Sequence, residues 1–309
     1  MTFYISGYKI ILNNQSVGRP NEIKIGANNM KKIKIITDSS CDLPANIIDR
    51  YNIGIIGLNV SFGDETFIGG VEIDNDTFYK RMKSEKELPK TSCPSPERFM
   101  KSYECEEEIV LVLTLTSKLS ATYSTAVLAK ELYTKEIGEK DIRVIDTTSG
   151  SLGAGLLVMK AAQLRDEGKT IDEIVEEIEK IKDEIVFYGA LDTLENAIKG
   201  GRVNPIAGKI IGALNFKVVI HITDGLVKPI DKTRGEGNSI KKVCEKVKNQ
   251  ISNTENKILV IGHSNCMEKA LKAKDIMEEE NTFKEVVIGD IGSVMGTYTS
   301  EGAILVGVL

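Results

Sequence analysis

The stretch Lys32-Ile33-Lys34-Ile35-Ile36-Thr37-Asp38-Ser39-Ser40-Cys41-Asp42-Leu43-Pro44 sets the reading of the whole chain. Lys32 to Thr37 is a short apolar run carried by Ile33, Ile35 and Ile36, and a helix signal follows Asp42-Leu43-Pro44. A buried strand that gives way to a helix is half of a βαβ unit, and the same alternation recurs downstream. Ile53 to Val60 reads as a second strand, with an edge hairpin over Glu65 to Ile73 around Gly69-Gly70 and a helix over Asp74 to Lys83. Glu108 to Leu113 is a continuous apolar strand followed by a helix through Ser124 to Tyr133. Arg143 to Ile145 is another short strand, followed by an apolar helix over Leu152 to Leu164. Short apolar runs between helices predict a mostly parallel sheet covered on both faces.

Thr170 to Lys182 is a charged amphipathic helix with isoleucine or valine at positions 171, 174, 175, 178 and 181, placed to link two domains. Beyond it, Lys217 to Ile222 and Leu226 to Ile230 flank Asp224-Gly225, the signature of a tight antiparallel hairpin. Helices over Ser239 to Gln250 and Met267 to Glu280 alternate with strands over Lys257 to Gly262, Glu285 to Ile288 and Ala303 to Val308. The expected fold class is α/β with two α/β domains, 30–169 with a mostly parallel sheet and 170–309 with a mixed sheet. Residues 1–29, rich in Asn, Gly and Ile without clear periodicity, read as a leader foreign to the fold or an upstream start, with Met30 as the original beginning. An N-terminal hairpin is the other reading of that segment.

The 309 residues are 41% hydrophobic and carry a net charge of −5 with both signs interspersed, so no basic field invites nucleic acid. No apolar run approaches the ~18–20 residues that cross a bilayer, which argues against membrane insertion. Cys41, Cys93, Cys105, Cys244 and Cys266 are odd in number and form no C-x-x-C pair, which predicts free thiols in the cytoplasm. The two histidines, His221 and His263, form no metal-ligand cluster, so no metal and no cofactor is expected.

Four constellations follow strands, where α/β proteins place their sites. Thr91-Ser92-Cys93-Pro94-Ser95-Pro96 is a rigid hydroxyl loop before a helix, able to meet an anion with side chains and free N–H groups. Thr116 to Ser124 is a second hydroxyl loop, in which small Ala121 lets a ligand approach the backbone. Lys199-Gly200-Gly201-Arg202 ends a helix and frees an arginine, and Gly262-His263-Ser264 puts a histidine at a strand exit. Helix capping, a glycine C-cap and a structural histidine account for the same residues, and residue chemistry leaves both roles open. Asp38 and Asp42 suit turns and caps better than a metal. Enzyme patterns fail: Gly262 to Cys266 lacks the last glycine of a nucleophile elbow, Gly150, Gly153 and Gly155 have the wrong spacing for a dinucleotide loop, and there is no Walker A sequence.

From Lys32 onward the chain resembles the DegV family of bacterial fatty-acid-binding proteins. The resemblance rests on Ile36 to Pro44, Lys90 to Pro96, Ser117 to Thr125, Asp192-Thr193-Leu194-Glu195 with Lys199 to Val203, and Gly296-Thr297-Tyr298-Thr299, in that order. It implies a two-domain carrier with an acyl chain buried at the domain junction and no catalysis of its own. It implies ligand-binding roles for Thr91, Ser92, Ser120, Ala121, Arg202 and His263, with Thr91 and Ser120 bonding the carboxylate and Arg202 and His263 near the cavity mouth. The implied ligand is a long-chain fatty acid such as palmitate, stearate or oleate. The implied partner is a fatty acid kinase, docked through Arg234. Ala121 stands where the family often has glycine, Tyr298 where histidine is frequent and Glu301 where proline is frequent. The segments Leu152 to Leu164 and Ile206 to Leu214 could line the cavity or be plain core. A nucleotide-dependent or phosphoryl-transfer enzyme on the same scaffold, and a lipid-sensing regulator, are the competing readings.

Overall fold

A computed structural model describes residues 32–205 and 216–309, together with two short strands, β1 (Tyr4–Ile5) and β2 (Tyr8–Lys9). The chain divides into two units. In Met1–Met30, β1 and β2 pair antiparallel. Lys31–Leu309 is a single compact unit and contains every feature that follows.

This unit has an α/β fold with two domains. The N-terminal sheet takes β3 (Ile33–Asp38), β4 (Gly54–Ile56), β8 (Ile109–Thr114) and β9 (Asp141–Asp146) in the order β4-β3-β8-β9, all parallel. Every residue of β8 is buried, as a central strand covered on both faces requires. A small antiparallel sheet stands beside it, ordered β6-β5-β7 from β5 (Asn59–Phe62), β6 (Glu65–Ile68) and β7 (Lys90–Ser92).

The C-terminal sheet is mixed. It holds β10 (Val186–Leu191), β11 (Lys217–Thr223), β12 (Leu226–Thr233), β13 (Ile258–His263), β14 (Glu285–Asp290) and β15 (Ile304–Val308), ordered β12-β11-β10-β15-β13-β14. Only β13 and β14 run parallel; the other four pairings are antiparallel. Between β11 and β12 the chain turns on Asp224 (φ 53°) and Gly225 (φ 73°), the left-handed pair that a two-residue hairpin demands.

The helix Ser151–Asp166 is buried on nearly every side because it is wedged between the two sheets. Its Leu156, Leu157 and Met159 share one core with Ile35 and Leu111 of the parallel sheet and Val260 of the mixed one. Small residues permit this approach: a Cβ on Gly153 would lie 2.6 Å from Phe187 of β10. The amphipathic helix Ile171–Ile181 packs Ile171, Ile174, Ile178 and Ile181 into the same core and begins with a capping box between Thr170 and Glu173.

Several local expectations need correction. Ile53 to Val60 is not one strand: the chain leaves the parallel sheet at Gly57, where a Cβ would strike Ile68, and re-enters the small sheet at Asn59. Its Leu58 N–H donates to Ser39 Oγ (3.0 Å) instead of a neighbouring strand. The hairpin turns at Gly63 (φ 56°), not at Gly69-Gly70, because Gly63 supplies the left-handed residue between β5 and β6. Lys90–Ser92, expected as loop, is a strand held by β5. The strand β10 and the helix Ser293–Thr299 had no expectation at all. The Ile206 to Leu214 segment lies outside the described residues.

Candidate functional site: a cavity between the sheets

Between the N-terminal layers and the mixed sheet lies a cavity whose atom-free space, open solvent at its mouth included, is about 760 Å³. Leu58 and Leu115 form one wall, Phe187, Leu191, Ile220 and Leu305 the sheet wall, and Val294 and Met295 a third. These walls are apolar because strand alternation turns Leu191, Ile220, Ile222 and Leu305 toward the cavity. The facing residues Ala190, Val219 and Ile304 pack beneath the helices Glu236–Lys248 and Met267–Glu278.

The polar end is made by Thr91, Ser120, Arg202 and Tyr298. Thr91 comes from the middle of β7, where alternation sends it inward and its neighbours Lys90 and Ser92 outward. Its Oγ1 lies 2.5 Å from the Tyr298 hydroxyl, a bond in which either oxygen can donate. Tyr298 comes from the helix Ser293–Thr299, and the Arg202 guanidinium sits over its ring, 4.9 Å from the centroid. Arg202 Nε donates to Leu119 O (3.2 Å) and Nη1 donates to Gly200 O (2.6 Å). Gly201 (φ 76°) closes the short helix Glu195–Lys199 in the left-handed conformation and throws Arg202 toward the cavity. Ser120 Oγ lies 2.8 Å from Thr122 Oγ1 and accepts from Thr122 N (3.3 Å), at the start of the helix Thr122–Glu136.

Of the six residues expected at the ligand, Thr91, Ser120 and Arg202 line this cavity. The other three do not. Ser92 faces outward and accepts from Asn59 Nδ2 (3.1 Å). Ala121 is exposed and accepts from Thr125 N (2.9 Å) at the helix start. His263 stands opposite Ile304 in the β13–β15 register, which places it on the helix-covered face of the sheet, away from Leu305. Its Nδ1 accepts from Cys266 N (3.4 Å) and lies 3.4 Å from Asp290, and its buried Nε2 has no partner among the described residues. Burial holds its imidazole below the usual range, against the pull of Asp290. Arg234 is exposed beyond β12 and stacks on Phe216, 4.7 Å from the ring centroid.

Tyr298, which the sequence marked only as part of the run Gly296 to Thr299 and as a departure where histidine is frequent, joins the polar end as a fourth group. Beside the cavity, Asp42 accepts from Gly292 N (2.9 Å) and from Ser151 Oγ (2.5 Å), tying the two domains together. Burial pushes its carboxyl up to about 7, against those two bonds. Asp38 accepts from Ser40 N (3.0 Å) and Leu115 N (2.7 Å), so both carboxylates brace turns. No group of three His, Cys, Asp or Glu side chains placed for a metal occurs among the described residues.

A narrow apolar chamber ended by three hydroxyls and a guanidinium suits an amphiphile with a small anionic head. The family model described as an uncharacterised protein of the DegV family matches residues 32–309. The chain belongs to the DegV family. Among DegV proteins, a fatty acid-binding protein of Thermotoga maritima is 32% identical over 292 residues, covering 90% of this chain and 97% of that protein. A Ruminococcus gnavus member solved with vaccenic acid superposes with a TM-score of 0.83 at 32% identity, covering 90% of this chain and 99% of its own. The Streptococcus pneumoniae fatty acid kinase (Fak) B3 protein, loaded with linoleic acid, superposes with a TM-score of 0.79 at 25% identity, covering 89% and 98%.

Proposed function

We propose that this DegV protein is a carrier, without catalysis of its own, for one long-chain fatty acid such as palmitate, stearate or oleate. The tail occupies the cavity between the sheets, and the carboxylate lies against Thr91, Ser120, Tyr298 and Arg202. The observation that carries this reading is the clustering of those four side chains in a chamber whose other walls are mostly apolar, Ser151 and Thr299 being the further hydroxyl residues of its lining. A chain of about sixteen carbons offers about 11 kcal/mol from methylene burial at ~0.8 kcal/mol each, before association costs of ~4–15 kcal/mol. Affinity then comes from the tail, and the polar end has only to keep the anion hydrogen-bonded. Three of the four groups are hydroxyls, so the anion is not held by ion pairing alone, which leaves the carboxylate free to be handed on.

The recipient in this reading is a fatty acid kinase in the cytoplasm. The similarity to the S. pneumoniae protein supports that partner, and five free cysteines suit a reducing compartment. Arg234, exposed and clear of the cavity, is the contact assigned to the kinase.

The test is mass spectrometry of the purified protein, followed by titration of delipidated protein with palmitate and oleate. The expected result is about one fatty acid per chain and saturable rebinding. Protein that carries no lipid and ignores both acids, yet binds a nucleotide, would replace the carrier with a nucleotide-dependent enzyme.

A further inference from the structure

Alternate residues of a strand share a face, so Leu191, Gly189 and Phe187 of β10 all turn toward the cavity. Leu191 stands at the end where the chain runs on into the helix Glu195–Lys199 and Arg202, beside the polar groups. Phe187 is four residues further back, about 13 Å along the strand at ~3.3 Å per residue. Between them Gly189 has no side chain, and Ile220 and Leu305 of the lining lie against its bare backbone. A Cβ there would come 2.4 Å from Leu305 and 3.1 Å from Ile220.

The Phe187 ring is seated by two glycines. Gly307 stands opposite it in the β10–β15 register, and a Cβ on Gly307 would lie 2.7 Å from the ring. A Cβ on Gly153, in the helix wedged between the sheets, would lie 2.6 Å from it. Phe187 is only 1% exposed, yet it forms part of the cavity wall. The ring fills the space that two missing side chains leave. In an interior packed this closely, one methyl group on either glycine moves that wall.

We propose that Phe187 is the stop that sets acyl-chain length: the ligand's terminal methyl abuts its ring, and Gly153 and Gly307 fix how deep the chain runs. The inference rests on the carrier reading and deepens it. While the tail is shorter than the chamber, each added pair of methylenes buries more apolar surface and lowers Kd about fifteenfold. Once the methyl reaches the ring, further carbons must buckle or displace it, and the gain ends.

Even-numbered saturated acids from C12 to C20 are titrated into delipidated wild type, Phe187→Leu and Gly307→Ala, with thermal melts confirming each fold. In wild type the affinity is expected to rise about fifteenfold per step and then level off at a definite length. Phe187→Leu shortens the stop and is expected to carry the rise at least one two-carbon step further. Gly307→Ala leaves Phe187 in the chain but pushes its ring into the chamber, so the levelling is expected at least one step sooner. Opposite shifts from substitutions on two strands are not what a general loosening of the core would produce. If Gly307→Ala does not fold, Phe187→Leu alone decides. An unmoved limit in either folded variant, or a wild type whose affinity climbs steadily through C20, overturns the stop and leaves the carrier standing. A wild type that binds none of these acids removes the carrier reading and the stop with it.

Discussion

Replacing Thr91 by valine tests the head-group site with the smallest change in shape. The side chain keeps its branch and its place in β7, and loses only the hydroxyl that lies 2.5 Å from Tyr298. Two effects separate. In the empty protein one hydroxyl bond disappears, a net loss of about 1 kcal/mol, and a chain of this size should melt about 2–4 °C lower. In the complex a bond to an ionised carboxylate is lost, worth about 1.5–3 kcal/mol, so the Kd for palmitate should rise roughly 10- to 150-fold. Binding should survive, because the tail supplies the larger share. The chain-length dependence should not change: each two-carbon shortening costs about 1.6 kcal/mol, about fifteenfold, in wild type and variant alike. The assay is a titration of delipidated protein with C12, C14 and C16 acids beside a thermal melt. A folded Thr91→Val protein that binds palmitate within twofold of wild type refutes the assignment. A loss that grows with chain length would instead show that the substitution had disturbed the cavity wall.

Ser120→Ala should weaken palmitate by about tenfold, by the same argument for a second hydroxyl, with little change in Tm; calorimetry reads both. Gly200→Ala keeps an unstrained backbone but sets a Cβ well inside contact distance of the Tyr298 ring, so it should displace Tyr298 and weaken palmitate several-fold; unchanged affinity would place Tyr298 outside the head-group site. Asp42 is a raised carboxyl, so between the unfolded value of about 4 and its own value of about 7 the native state binds more protons than the unfolded state, and stability falls as pH rises. Asp42→Asn can still accept from Gly292 and pair with Ser151 while losing that titration, so urea melts at pH 5 and pH 8 should show the variant gaining on wild type at the higher pH. Arg234→Ala should leave palmitate binding intact and lower turnover by several-fold in a reconstituted assay with the cognate kinase; wild-type turnover would remove Arg234 as the docking contact.

Elements whose pattern is local are legible in the amino-acid order alone. The β11–β12 hairpin announces itself through Asp224-Gly225, and the helix Ile171–Ile181 through its isoleucine period and capping box. The apolar runs of β3, β8 and β13 carry the layered α/β architecture, since only a covered strand tolerates such continuous hydrophobicity. The hydroxyl loops are legible too, and they deliver Thr91 and Ser120 to the cavity.

What the amino-acid order determined by itself was thus the fold class, the family and a short list of polar residues near strand ends. The tertiary structure decided which of them share a site. Thr91 and Ser92 are chemically interchangeable on paper, and strand alternation alone turns one inward and the other out. His263 follows a strand as a site residue should, yet its register opposite Ile304 puts it on the other face of the sheet. Tyr298 meets Thr91 across 207 residues of chain, a contact set by the packing of the helix Ser293–Thr299 against the small sheet. Short-range propensity fixes where a chain bends and which way a residue faces within its element. The meeting of distant side chains depends on how the layers stack, and that is set by close packing through the whole interior.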